Sequence, residues 1–228
     1  MRGRLGRHRQ EVARFGLAGW FKRNLFWQLD HRVGLDVLCV GLLPAPVAGC
    51  QPGAPLVYEH CVADEGVMLT AAADPVLRLN PAVVAARFAN GDFCSATFHD
   101  GGLIAYNWYG RGRTHLPHGF SVAFPDDWVV NHDAFVHPAY RGRGVATEAW
   151  RVTDEAFAAD GTTHILSFVK ASNIASIRAM NKNADTRWVG YVVTWRGLGR
   201  RRAFATIGCR RLGIRAEMPV SGSFGPVG

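Results

Sequence analysis

Val136-His137-Pro138-Ala139-Tyr140-Arg141-Gly142-Arg143-Gly144-Val145-Ala146-Thr147-Glu148-Ala149-Trp150 joins two segments of different period. The run before it, Val129 to Val136, is apolar apart from Asn131, His132 and Asp133, and reads as a strand. From Thr147 to Ala159 the residues Ala, Trp, Val and Phe recur at helical spacing, so a helix is expected. Between the two, Gly142 and Gly144 let the backbone turn with no Cβ in the way of a close ligand. A helix start presents N–H groups without intrahelical acceptors, at the positive end of its dipole. Arg141 and Arg143 add charge, so the turn suits a phosphate or pyrophosphate. It is not a P-loop, because no Gly-Lys-Ser/Thr triplet follows. It is not a dinucleotide fingerprint either, because position 147 is Thr where a third Gly is needed. Gly110-Arg111-Gly112-Arg113 has a similar rhythm, but Thr-His-Leu-Pro follows it, so a loop is expected there.

The spacing Arg141-x-x-Gly144-x-Ala146, inside Val136-x-Pro138-x-Tyr140-Arg141-Gly142-Arg143-Gly144-Val145-Ala146, resembles the Arg/Gln-x-x-Gly-x-Gly/Ala signature of the GNAT acyltransferase superfamily. A second block agrees. Ile165 to Val169 reads as a buried strand, and Asn173-Ile174-Ala175-Ser176-Ile177-Arg178-Ala179-Met180 resembles the family's Asn-x-x-Ser/Ala motif and the helix after it. The resemblance covers roughly residues 90 to 195. It implies a mixed α/β fold with a mostly antiparallel central sheet and helices on both faces. It also implies that acetyl-CoA or another acyl-CoA is the co-substrate, with no metal. The pyrophosphate would lie on Arg141, Gly142, Arg143, Gly144, Val145, Ala146 and Thr147. The pantetheine arm would lie beside Phe135, Val136 and Asn173, and Arg178 would reach toward the 3′-phosphate.

Two departures stand out against the family pattern. Members of the family often place a Tyr seven residues after the Asn, as acid toward the leaving thiolate; here that position is Met180, which cannot donate a proton. The usual Gly-Phe after the helix is replaced by Asn183-Ala184-Asp185-Thr186-Arg187-Trp188. Ser176, one turn beyond Asn173, is the candidate to take part of the missing acid's role through water.

Acyl transfer to an amine needs a polarised carbonyl, a neutral amine, a stabilised leaving thiolate and close contact between the substrates. Direct transfer is what the resemblance implies, with the oxyanion donor on the strand backbone near Phe135 or Val136. By strand alternation Asn131 and Asp133 face one side and His132 the other. Asp133 and His132 are the candidate bases, and each is also a common type of structural residue. His115 and His118 sit in the segment expected to cover the acceptor; His115-x-x-His118 alone is too weak to mark a metal site.

Composition bounds the rest. The chain has 228 residues, 48% of them hydrophobic and 19% charged, which describes a globular protein. Net charge is +8, concentrated in Arg2 to Arg9, Arg196 to Arg202 and Arg210 to Arg215. This suits an anionic ligand and mildly favours a small or anionic acceptor. Nucleic acid is not expected as a partner. The five cysteines at 39, 50, 61, 94 and 209 are odd in number and scattered, which argues against a disulfide framework or zinc ribbon and for a cytoplasmic setting. Val47-Ala48-Gly49-Cys50 resembles a lipoprotein box, but prolines and Asp36 interrupt the run before it. No apolar run is long enough to span a bilayer.

The expected organisation is an N-terminal extension over 1–55, an acyltransferase domain over 56–215 and a flexible tail over 216–228. The extension holds a basic tail at 1–9, an amphipathic helix at 10–29 and a Pro-rich loop at 44–55. That helix has three uses open to it: packing, a homodimer contact or a membrane surface. Further expected elements are strands at Val37–Leu43 and 56–63, and a helix from Pro81 capped by Asn80. Hairpins are expected over Phe93–Tyr109 and Trp188–Cys209, and a long loop over Gly110–Asp127. The acceptor, a primary amine of a small molecule, is the leading reading. A protein N-terminal or lysine acetyltransferase and a non-catalytic CoA-binding domain are the alternatives.

Overall fold

The structure, a computed structural model, describes residues 16–45, 57–116, 119–182, 185–197 and 200–218. The expected tails at 1–9 and from Pro219, most of the 44–55 loop, and His118 lie outside these residues, as do Asn183 and Ala184. In chain order, α1 over 16–28 ends in a π turn at Leu29–Val33 and leads to β1 (Leu35–Pro44) and β2 (Glu59–Ala63). Then come α2 (Glu65–Ala71), a 3-10 turn at Pro75–Leu77, α3 (Pro81–Ala89), β3 (Phe93–His99) and β4 (Gly102–Arg111). After β5 (Thr114–Leu116), β6 (Phe120–Ala123) and β7 (Trp128–Val136), a 3-10 turn at Pro138–Tyr140 leads into α4 (Val145–Ala159). The chain continues through β8 (His164–Lys170), α5 (Ile174–Met180), β9 (Arg187–Gly197), β10 (Arg200–Ala205), α6 (Ile207–Arg211) and β11 (Arg215–Glu217). The architecture is mixed α/β, a large and mostly antiparallel sheet flanked by helices, as expected. Contacts divide the chain into two compact units, 43–167 with 219–228, and 1–42 with 168–218.

In the unit 43–167, β2, β3, β4, β7 and the start of β8 lie side by side in that order, antiparallel except for the parallel β7·β8 pair. The β3–β4 hairpin turns through Asp100 and Gly101, both at positive φ (51° and 75°), the geometry that an Asp-Gly pair favours. Asn80 caps α3 as expected, its Oδ1 accepting from Ala82 N and Val83 N. Asp64 and Asp74 cap α2 and the following 3-10 turn, start signals absent from the expectations above. Both sheet faces are covered. On one side Trp108, Tyr106, Ala96 and Cys94 pack with Met68 of α2 and Val84 of α3. On the other, Tyr109 and Val129 pack with Phe157 of α4.

The expected loop over Gly110–Asp127 is corrected by the structure. Gly110 and Arg111 extend β4, and β5 and β6 pair as a hairpin with Leu116, Phe120 and Val122 fully buried. Each of these strands is too short to show an alternation against the neighbouring His, Gly and Pro.

In the unit 1–42 with 168–218, β9 pairs with β1 on one side and β10 on the other, all antiparallel. Its core includes Leu38, Val40, Val192 and Cys209, all at 0% exposure. The expected strand Ala203–Cys209 is also corrected. It ends at Ala205, because Thr206 turns the chain by accepting from Tyr191 N through its hydroxyl at 2.9 Å, and α6 begins at Ile207. Lys170, at the end of β8, pairs with Asp36 at 2.9 Å and Asp30 at 3.1 Å.

Candidate active site

β7 leads into the glycine turn. Its parallel pairing with β8 runs from Trp128↔His164 to Asn131↔Ser167, while its pairing with β4 continues to Ala105↔Val136. Within this unit, residues 133–136 therefore have a ladder partner on one side only, and His132 has none. His137 N donates to Ile104 O at 2.8 Å, and the His137 ring accepts from Ala139 N at 3.2 Å, which sets the 3-10 turn. Gly142 and Gly144 follow with φ of +79° and +83°, and a Cβ on either would meet no atom within 4 Å. The left-handed backbone explains why glycine stands at both positions. The space beside both glycines is open. α4 then starts at Val145, which is buried against Ile104 and Ala105, and the first helical bond runs from Glu148 N to Gly144 O. The N–H groups of Val145, Ala146 and Thr147 precede that bond and have no intrahelical acceptor.

Both arginines of the turn are exposed and both are oriented. Arg141 Nε donates to Val136 O at 3.0 Å, and its guanidinium lies 6.0 Å from the centre of the Phe135 ring. Arg143 sits 5.5 Å over the Tyr140 ring. Glu148, one turn into α4, accepts from Tyr58 N at 2.8 Å, Val57 N at 3.0 Å and His60 Nε2 at 3.0 Å. Burial pushes its carboxyl up, but these donors outweigh burial and hold it below the usual carboxylate range. Glu148 thus ties the entry to β2 to the helix that begins at the turn.

The two candidate bases lie at a β-bulge. Tyr109 pairs with Asn131 and Trp108 with Asp133, so His132 is the extra residue. Paired residues share a side of the sheet and Trp108 and Tyr109 face opposite ways, so Asn131 and Asp133 do too. The alternation expected from the sequence, with these two on one side, is corrected for that reason. Asp133 accepts from Arg87 Nη2 at 2.9 Å, with its side chain 39% exposed, and Arg87 in turn lies 4.9 Å over the Trp108 ring. His132 is buried and its Nε2 lies 3.1 Å from Asp92 Oδ2, yet neither ring nitrogen has an aligned hydrogen-bond partner among the described residues. His115 Nδ1 is 3.3 Å from Ser121 Oγ; burial pushes its pKa down, Asp92 pulls it up, and His132 pushes it down again.

Neither described cysteine of this unit, Cys61 or Cys94, is prepared as a nucleophile. Burial raises Cys94 to about 12, well above any thiolate-forming range, and the exposed Cys61 is also raised by desolvation. Burial likewise pushes the phenols of Tyr106 and Tyr109 up. Among the described residues no cluster of His, Cys, Asp and Glu fits a metal ion.

In the other unit, Asn173 caps α5, its Oδ1 accepting from Ser176 N at 3.2 Å. Asn173 and Arg178 are exposed and Ser176 is half-buried. Met180 is buried and its Cε fills the space over Gly41, where a built Cβ would lie 2.5 Å away. The position that carries the acid in the family is here a packing residue.

Arg87, Asp92 and Glu148 are absent from the sequence-derived candidates. The ion pair of Arg87 with Asp133 spans 46 residues, and the bond of His60 to Glu148 spans 88, so no local spacing announces them.

Residues 76–184 match the model of the acetyltransferase (GNAT) family. Among solved structures, it is similar to a GNAT-family acetyltransferase from Colwellia psychrerythraea, with 13% identity, 81% of this chain and 56% of that chain covered, and a TM-score of 0.48. An N-acetyltransferase from Staphylococcus aureus Mu50 matches with 16% identity, 57% and 83% coverage and a TM-score of 0.40. AAC(6')-Iy in complex with the bisubstrate analog CoA-S-monomethyl-acetylneamine matches with 15% identity, 56% and 89% coverage and a TM-score of 0.42. The chain spans less than two thirds of several structures that match most of its own length. No curated protein matches it.

Proposed function

We propose that the protein is an acyl-CoA-dependent N-acyltransferase that uses acetyl-CoA and transfers the acyl group directly to a primary amine of a small molecule. The observation that carries the reading is the exposed Arg141–Gly144 turn at the start of α4, with two left-handed glycines beside open space. Unpaired helix N–H groups, the helix dipole and two oriented guanidinium groups all favour a pyrophosphate there. The backbone of 133–136, without a second ladder partner in its own unit, supplies N–H groups for the pantetheine amides and for the oxyanion that develops on the acyl carbonyl. Phe135 and Val136 lie on this stretch.

Asp133 is the better candidate base, because its carboxylate is partly exposed while His132 is enclosed with Asp92. It would take the ammonium proton through water, and the neutral amine would attack the thioester. Asn173, Ser176 and Arg178 are proposed contacts to the pantetheine, the leaving sulfur and the 3′-phosphate; their support is the motif. With Met180 buried, the leaving thiolate receives its proton from water, with Ser176 as the candidate relay. The domain organisation expected from the sequence and a cytoplasmic setting belong to the same proposal.

The test is thermal unfolding with acetyl-CoA, a longer acyl-CoA and CoA itself, followed by thiol release with a panel of amines. A ligand that binds only the folded state raises the midpoint. Absence of any rise with every acyl-CoA rejects the reading. A rise without thiol release from any amine favours a CoA-binding domain without catalysis, for which Met180 is the supporting observation.

A further inference from the structure

The candidate base of β7 and one arginine of the glycine turn stand beside the same aromatic ring. Asp133 pairs with Trp108 and Phe135 with Tyr106. Trp108 and Tyr106 are alternate residues of β4, and both pack with Met68 of α2 and Val84 of α3. Phe135 packs against that cluster, its ring 5.3 Å from the Tyr106 ring and nearly parallel to it. Asp133 and Phe135 therefore share one side of the sheet, while Phe157 of α4 packs on the other, against Tyr109 and Val129. The backbone of Arg141 belongs to the turn that enters α4, but its side chain runs back to β7. Nε donates to Val136 O at 3.0 Å, and the guanidinium lies 6.0 Å over Phe135. The cation thus flanks a ring that faces the side of Asp133.

The two charged groups differ in what they already hold. Asp133 accepts from Arg87 through Oδ2, and its Oδ1 has no partner among the described residues. Arg141 is exposed, and among the described residues no carboxylate lies within ion-pair reach of it. Its Nε is anchored, so both Nη groups are free to meet an anion in a planar, two-bond geometry. Phe135, between the two, is a half-buried apolar surface.

We infer that the acceptor is an ω-amino carboxylate, with its ammonium at Asp133, its methylenes across Phe135 and its carboxylate on the Nη groups of Arg141. The inference rests on the acyltransferase chemistry proposed for the turn and refines it: the backbone of Arg141 serves the pyrophosphate and its guanidinium serves the acceptor. The strand sets the length. Asp133 and Val136 are three residues apart, about 10 Å along β7. An α-amino acid, with both charges on one carbon, does not reach both ends, whereas an extended chain of about four methylenes does. Charge sets the far end. A second ammonium would face an uncompensated guanidinium, and an apolar tail would leave its donors to water. In the reaction Asp133 takes one proton from the ammonium. The nitrogen bonds to the acyl carbon as the C–S bond breaks, and a further nitrogen proton reaches the departing thiolate through water. The products are the N-acyl amino carboxylate and CoA. Arg141 makes and breaks no bond; it selects the acceptor.

The experiment compares three acceptors of one chain length, 5-aminopentanoate, pentylamine and 1,5-diaminopentane, by thiol release at saturating acetyl-CoA. The proteins are the parent, Arg141→Gln and Arg143→Gln. In the parent, kcat/KM for 5-aminopentanoate should exceed that for pentylamine by roughly tenfold, and that for the diamine by more. Arg141→Gln keeps a donor for Val136 O and should bring the first ratio down to about 1–2. Arg143, over Tyr140, is the control, and Arg143→Gln should keep the parent ratio. A loss of cofactor affinity is common to all three acceptors and cancels in the ratio. Equal rates for 5-aminopentanoate and pentylamine in the parent overturn the inference. So does a preference that survives Arg141→Gln or falls as far in Arg143→Gln, and so does thiol release from other amines but not from 5-aminopentanoate. Each of these results leaves the acyltransferase standing. Thiol release from no amine at all, with acetyl-CoA still raising the melting midpoint, overturns the proposed chemistry and this inference together.

Discussion

Gly144→Ala separates the backbone role of the turn from its role toward a ligand. Gly144 has φ +83°, and an added Cβ meets nothing within 4 Å, so the substitution brings no clash. What remains is the cost of holding an L-residue left-handed, about 1–2 kcal/mol. For a chain of this size each kcal/mol lowers the midpoint by ~2–4 °C, giving a drop of about 2–8 °C. Gly161, just beyond α4, supplies a matched control, with φ +84° and equally open surroundings. Gly161→Ala should therefore melt like Gly144→Ala when no ligand is present. With acetyl-CoA at roughly a hundred times its Kd, the parent should gain about 2.7 kcal/mol, and Gly161→Ala should keep that gain. Gly144→Ala should lose at least about half of it, because the methyl occupies the space from which helix N–H groups meet the pyrophosphate. The assay is a fluorescence-monitored melt across a ligand titration. Full protection in Gly144→Ala, or an equal loss in Gly161→Ala, refutes the assignment of this turn.

Other residues give sharper tests of neighbouring features. Glu148→Ala leaves Val57 N, Tyr58 N and His60 without their acceptor and should cost about 1–3 kcal/mol in chemical denaturation. The lowered carboxyl pKa of Glu148 means its contribution is present above the usual carboxylate range and lost as pH falls through the lowered folded value; the variant should flatten that acid limb. Asp154 behaves in the opposite sense. Burial, aided by Glu155, raises it to about 7, so the folded state keeps a proton that the unfolded chain releases, and stability falls as pH rises from the usual aspartate range through about 7. Asp154→Asn should remove that fall and gain up to about 4 kcal/mol above pH ~7; an unchanged pH profile would refute the assignment. Asp133→Asn should slow thiol release with an amine by about 10²–10⁴ if its carboxylate is the base, while the loss of its partly exposed pair with Arg87 costs about 1 kcal/mol or less.

The glycine turn, its flanking strand and helix, and the Asn173 cap were readable because each rests on residues adjacent in the chain. Positive φ asks for Gly142 and Gly144, and an N-cap asks for Asn. What sequence could not supply was register. One extra residue at His132 reverses the side on which Asp133 lies, and period-two reasoning has no signal for it. The β5–β6 hairpin was hidden for a related reason, since three or four residues cannot display a period. The supports of the site, Arg87 on Asp133 and Glu148 on His60, are products of tertiary contact and stay invisible until the strands are paired.

The extra residue in β7 also makes this strand editable. With His132 removed, Asn131 and Asp133 become neighbours in the chain and can keep their present partners, Tyr109 and Trp108, in an ordinary ladder. Such a deletion withdraws the buried ring beside Asp92 and the local kink in the strand. The kink of β7 at this position thus rests on a single inserted residue.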